Sequence, residues 1–225
     1  PTIIEGFPGF GLIGTITTEF LIEHLEAEEI GSFEYDELPS IVAIHEQKLV
    51  NPMGVFYNKK YNLVILHTIL NTSGVEWEIA ESIIDMAGKL NSPEIISLEG
   101  VSSQKTEDNE RVFYFSTDEE KKEKLKHLKI AQPLNESIIL GVSGALLLKS
   151  QLPITCIFAE THVEYPDSKA ASNIIKTLDD YLGLEVDYKP LIKQAKEFEN
   201  KVKNILKQSS YATKLKDKKR MSYLG

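Results

Sequence analysis

The sequence predicts an α/β fold with a largely parallel sheet, on two observations. Apolar, strand-like runs alternate with segments of helical periodicity from Thr2 nearly to Gly183, as they do when strands and covering helices take turns along a chain. The run YNLVILHTIL at 61–70 is also almost unbroken in apolar character, as strands buried on both faces are. No internal repeat or low-complexity tract interrupts the pattern.

Taken in order, residues 2–5 read as a short buried strand ended by Gly6 and Pro8. Ile13, Ile16, Phe20, Leu21 and Leu25 recur at helical spacing and predict a helix over 13–25. Glu29–Tyr35 reads as a second strand. SIVAIHEQ (40–47) and GVFYN (54–58) read as short strands, with LVNPMG (49–54) as a turn-bearing connection between them. After the strand at 61–70 comes a helix over 73–90, with Trp77, Ala80, Ile83, Ile84 and Ala87 on its core face. Ser73 is its expected N-cap, because Glu76 follows three residues later.

EIISLEG (94–100), RVFYFS (111–116) and ITCIFAET (154–161) read as strands, and 102–110 as a polar loop. A charged helix is expected over 118–128. SIILGVSGALLL (137–148) passes from a strand or loop into a helix of small residues, and the helix over 168–183 closes at Gly183. Three parts follow: an α/β domain over 1–189, an amphipathic helix over 190–206 and a mobile basic tail over 207–225. In the second part Leu191, Ala195, Phe198, Val202 and Ile205 recur in heptad-like steps.

Hydrophobic content of 42% with 26% charged residues suits a soluble globular chain. No stretch approaches the ~18 apolar residues of a membrane span, and no secretory leader is visible. Cys156 is the single cysteine, so no intrachain disulfide forms and a reducing, cytoplasmic setting is expected. The net charge is −9, but 207–225 carry six cations against Asp217, a net of +5, which leaves −14 on the other 206 residues. So acidic a body excludes wrapping along a phosphate backbone; neither nucleic acid nor membrane is an expected partner.

Gly9, Gly11 and Gly14 spell G-x-G-x-x-G between a strand and a helix. Glycines admit positive φ, and a helix N-terminus favours phosphate. Glu34, 20 residues after Gly14, stands where a ribose-binding acid would be sought. Against a nucleotide, Phe7 and Pro8 delay the turn and Phe7 and Phe10 crowd it. The competing reading is a turn that brings strand and helix close together.

Other chemistry is sparser. GVSGA (141–145) has the spacing of a nucleophile elbow, but a hydrolase of that kind needs an acid and then a histidine downstream. Here His162 precedes Asp167. His24, His45, His67, His127 and His162 are scattered without ligand spacing. His67 reads as a hydrogen-bonded strand-end residue, Cys156 as a packed small hydrophobe, and Trp77 as a core anchor or, if exposed, an interface residue. No catalytic residue, metal or cofactor is assigned, and the chain is read as a non-enzyme.

EGFPGFGLIG (5–14) resembles the opening signature of the proteasome assembly chaperone family of archaea and bacteria. YDELPSIVAIHEQKLVNPMGVFY, LVILHT, GVEWEIAESIIDMA, ISLEG and GVSGALLL follow in the matching order. The resemblance spans about residues 1–206. It implies a three-layer α/β/α sandwich related to nucleoside phosphorylases, homo-oligomers, and binding to proteasome core α-subunits. Assembly would be assisted or modulated without ATP hydrolysis. It also implies that Gly6, Phe7, Pro8, Gly9, Gly11 and Gly14 form a structural loop. Family tails often end in hydrophobic–Tyr–any residue and insert between α-subunits. Here Tyr223 stands one place early, so Met221, Tyr223, Leu224 and Gly225 are the expected tail anchors. The alternative reading is a nucleoside- or dinucleotide-binding enzyme or sensor using residues 9–14.

Overall fold

The computed structural model describes residues 1–38, 42–45, 47–102, 111–161, 166–193 and 199–200. The chain runs β1 (Thr2–Gly6), a 3-10 turn (Phe10–Leu12), α1 (Ile13–His24), β2 (Glu28–Ser32), β3 (Ala43–His45), β4 (Lys48–Val50), β5 (Met53–Asn58) and β6 (Leu63–Thr68). It continues with α2 (Glu76–Lys89), β7 (Ile95–Ser102), β8 (Val112–Ser116), α3 (Glu119–Leu128), β9 (Gln132–Pro133), α4 (Gly141–Lys149), β10 (Ile154–Thr161), α5 (Ser168–Leu182) and α6 (Lys189–Lys193).

Eight strands form one mixed sheet in the order β2-β5-β6-β1-β7-β10-β8-β9, and β3 and β4 pair by themselves. The centre is parallel: β1 pairs with β6 and β7, and β7 with β10. The flanks turn antiparallel, β5 against β6 and β8 against β10.

The side-chain alternation of the central strands divides the core in two. Ile4, Leu63, Ile65, Ile96, Leu98 and Ile157 pack with α1, α3 and α5. Ile3, Val64, Leu66, Ile95, Cys156 and Phe158 pack with α2 and α4. Helices therefore cover both faces, which is why β6 and β10 are buried at every position. Among the described residues no helix is long and apolar enough to cross a membrane.

Local chemistry sets several helix ends. Asp118 accepts from the Lys121 N–H and Asp167 from the Ala170 N–H, capping α3 and α5. Gly183, at φ +69°, closes α5 in the left-handed region.

Four expectations are corrected. LVNPMG, expected as a turn-bearing connection, takes in Leu49 and Val50 of β4, and β5 already starts at Met53. The second strand ends at Ser32, not Tyr35. Ser73 does not cap α2: its hydroxyl bonds Asn71, Glu76 accepts from the Gly74 N–H, and Val75 stands at the N-cap. Trp77 is 47% exposed, while Ile79, Ala80, Ile83 and Ala87 face the core. The core stripe of α2 is thus rotated toward Ile79.

At the carboxyl end, Leu191 of α6 is buried in the α5 cluster. Ala195, Phe198, Val202 and Ile205, the whole 207–225 segment and its anchors Met221, Tyr223, Leu224 and Gly225 lie outside the described residues, as does most of the loop at 102–110.

Candidate functional site

From β1 the chain travels to one side and reaches β6. It then crosses over α2 to β7 on the other side of β1. Reversal points of this kind leave a crevice beyond the carboxyl ends of the strands, the usual ligand position in open α/β sheets. A cleft of about 750 Å³ opens there, lined by the glycine loop, the end of β7, the β6–α2 loop and the approach to α4.

The glycine loop forms one wall, and its glycines are required by close approach. Gly14 sits where a Cβ would lie 2.5 Å from the Leu98 carbonyl oxygen, and a Cβ on Gly6 would strike the Gly14 carbonyl. Gly11 has φ +66° and rests against Thr161. A Cβ on Gly9 would stand 2.5 Å from Glu99 Oε2. Thr18 Oγ1 donates toward the Gly6 and Gly14 carbonyls, 3.2 and 3.0 Å away. Ile13, Gly14 and Thr15, the first residues of α1, are buried. A protein carbonyl and a carboxylate thus stand where side chains at Gly14 and Gly9 would have to go. Phe7 is buried, Pro8 half-buried and Phe10 38% exposed at the cleft wall. Glu34 is exposed beyond β2, an edge strand separated from β1 by β5 and β6. It is not at the glycine loop.

Behind the cleft runs a line of four oxygen-bearing side chains, with Glu99 in the cleft lining and the other three buried. Glu5 Oε2 is 2.7 Å from Ser97 Oγ, Ser97 Oγ is 2.6 Å from Ser143 Oγ, and Ser143 Oγ is 2.5 Å from Glu99 Oε1. Glu5 Oε1 accepts from the Phe7 N–H at 3.2 Å. Parallel pairing sets Glu5 beside Ser97, and Glu99 projects from the same strand face two residues on. α4 lowers Ser143 between them.

Three oxygen–oxygen contacts need three protons, and two hydroxyls supply two. One carboxyl must supply the third. Burial pushes Glu5 up to about 8, with the nearby Glu99 charge adding to it. Burial also raises Glu99, to about 7, against a hydrogen bond from Ser143 that lowers it. Glu5 is 1% exposed whereas Glu99 reaches the cleft; burial raises both acids, so the pair retains a proton into the neutral range. With that proton on one acid, the two hydroxyl hydrogens point along the line toward the other carboxylate, and all three contacts are made.

The remaining candidates are held by structural partners. Ser143 of GVSGA is fully buried in this line. His67 Nδ1 is 2.9 Å from Thr18 Oγ1 and its Nε2 is 3.1 Å from Glu19 Oε2, as befits a strand-end residue. Cys156 is buried and its thiol is pushed strongly upward, by burial and by Glu5 and Glu99. Among the described residues no group of three or more His, Cys, Asp or Glu could hold a metal ion.

Beside the cleft, Trp77, Leu140 and Leu148 line a shallow notch floored by Gly144 and Ala145. Leu140 and Leu148 are 76% and 77% exposed, and Ile138 next to them is more so. Lys149 lies 5.4 Å from the Trp77 ring and pairs with Glu81.

Sequence reasoning missed Glu5, Ser97 and Glu99. One signal was available: β1 and β7 both close an apolar run with Glu-Gly, TIIEG and IISLEG. A carboxyl at the end of a buried strand, just before a glycine, marks a place where strand ends meet.

The crystal structure of Pyrococcus furiosus PbaA, described as an archaeal homolog of proteasome-assembly chaperone, is similar to this chain. It shows 30% identity and a TM-score of 0.84 over 94% of each chain. That of P. furiosus PbaB, an archaeal proteasome activator, shares the fold at 24% identity and a TM-score of 0.73, over 91% of this chain and 93% of PbaB. An uncharacterised protein of Methanocaldococcus jannaschii is 28% identical over 99% of this chain and 91% of its own length. The sequence profile of the PAC2 family matches residues 3–206; the chain belongs to the PAC2 family.

Proposed function

We propose that this protein is a non-enzymatic, homo-oligomeric chaperone or adaptor that binds proteasome core α-subunits and assists or modulates assembly of the core particle. The observation that carries the reading is its likeness to PbaA, at 30% identity over 94% of both chains. The geometry agrees with it. The glycine loop packs strand against helix, and the Ser143 hydroxyl is engaged by Ser97 and Glu99. Trp77, Leu140 and Leu148 offer an apolar surface of the kind that protein partners cover. Met221, Tyr223, Leu224 and Gly225 at the end of the basic tail are the proposed second contact, by capture of the carboxyl terminus.

Pull-down of recombinant α-subunits with the full chain, and with a chain ending at Lys219, tests this. Capture by the full chain and weaker capture by the shortened one is the expected result. Equal capture removes the tail from the reading, and no capture by either removes the partner. The rival, nucleotide binding at residues 9–14, would show as a thermal shift. A ligand at 100 times its Kd stabilises by about 2.7 kcal/mol.

A further inference from the structure

We propose that the cleft beyond β1 and β7 is a binding site for an organic cation, an ammonium or guanidinium group on a slim stem, anchored by the Glu99 carboxylate. The notch shares Leu140 with this cleft but does not include Glu99, so contacts through the notch and the tail leave that carboxyl unused. Its volume of about 750 Å³ falls within the ~300–1,000 Å³ range of small-ligand sites.

The chemistry of the walls selects the ligand. Glu99 is held from one side by Ser143, while among the described residues no hydrogen bond engages its Oε2, which borders Gly9 and the cleft. Among the described lining residues there is no lysine, arginine or histidine to neutralise it, and Glu76 adds a second carboxylate at the rim. Such a site repels phosphate and attracts a cation. A metal ion would need more ligands than Glu99 offers, and among the described residues no such group converges there. The other walls are Phe158 at the floor with Ile139, Leu140 and the half-exposed Phe10 ring. They suit an apolar stem, and the ring face adds cation–π attraction. The hydroxyls of Thr72 and Ser73, which also line the cleft, supply oxygen acceptors for the remaining N–H groups. From behind, Ser143 holds Glu99 Oε1 at 2.5 Å and so fixes the carboxyl at the cleft wall.

A cation of this kind could be a free amine or a lysine or arginine side chain of another protein. Calorimetric titration of the full chain at low salt would use agmatine, cadaverine and the capped peptide acetyl-Gly-Lys-Gly-amide. Pentanol and AMP serve as neutral and anionic controls. The expected result is saturable binding of at least one cation and none of either control. Binding should weaken by at least about tenfold in Glu99→Gln, from loss of a charge-assisted contact. Binding of the free amines identifies a small-molecule site, and binding of the peptide alone identifies a protein side chain. Ser137→Trp, at the exposed cleft rim, leaves the carboxylate intact and should block entry. It decides the question should Glu99→Gln fail to fold. No binding by any cation, undiminished binding in both variants, or preference for AMP would overturn the proposal. None of these outcomes depends on α-subunit capture.

Discussion

Ser97 Oγ on β7 lies 2.6 Å from Ser143 Oγ on α4, and this contact joins the carboxyls of Glu5 and Glu99 into one proton-sharing unit. Interacting acids of this kind titrate as a pair. The unit also fastens α4 to the sheet at the one place where its N-terminal turn meets the cleft.

Stability should fall as pH rises through this unit. Below about pH 4.5 the carboxyls are protonated in both states. Above it the unfolded chain ionises, while the folded chain holds its proton until about 7 to 8. The folded state therefore binds more protons in that window, and unfolding free energy declines with pH until the window closes. Urea melts between pH 5 and 8.5 should show this decline, and Glu5→Gln, which cannot ionise, should flatten it. A decline of equal steepness in the variant would place the proton elsewhere.

Gly14→Ala should destabilise by about 1–3 kcal/mol, because overpacking forces α1 away from β7; the new Cβ would stand 2.5 Å from the Leu98 carbonyl oxygen. Gly88→Ala in α2 is the control. Its Cβ meets nothing within 4 Å, so helix propensity should stabilise the protein by roughly 0.5–1 kcal/mol. Thermal melts of the two variants check the contrast.

Tyr181→Phe should cost about 1–3 kcal/mol by removing a donor from a buried carboxylate. The Tyr181 hydroxyl donates to Glu94 at 2.9 Å, and Glu94 is 3% exposed. Adding Glu94→Gln to that variant should recover part of the loss, since an uncharged amide is cheaper to leave with fewer partners. Chemical denaturation of the single and double variants measures both effects.

Leu148→Ser should leave the melting midpoint unchanged within error, since the side chain is 77% exposed and surface changes usually stay within about 0.5 kcal/mol. The same variant should weaken α-subunit capture if the apolar notch is a contact surface. Pull-down alongside thermal melts separates the two readouts.

Periodicity made most elements legible. α1 begins at Ile13 as its apolar spacing requires, β10 covers ITCIFAET from end to end, and Gly183 closes α5. These depend on contacts within a few residues, and local sequence carries that information. Trp77 shows where it stops. Its spacing fits the core stripe of α2 equally well, and only the packing of α2 on α4 turned Ile79 inward and Trp77 out. Ser73 likewise has the right spacing for a cap, but Asn71 takes its hydroxyl.

What the sequence by itself determined is an α/β chain, its alternating elements and the glycines that let α1 lie against β1 and β7. Strand order was decided by the tertiary structure alone. It put β2 at an edge, which stranded Glu34 away from the glycine loop. It also carried Ser97 to Glu5, 92 positions away, and Ser143 to Glu99, 44 positions away. Side chains so distant in sequence meet only when sheet pairing and helix packing are satisfied together, and no local pattern records that joint condition.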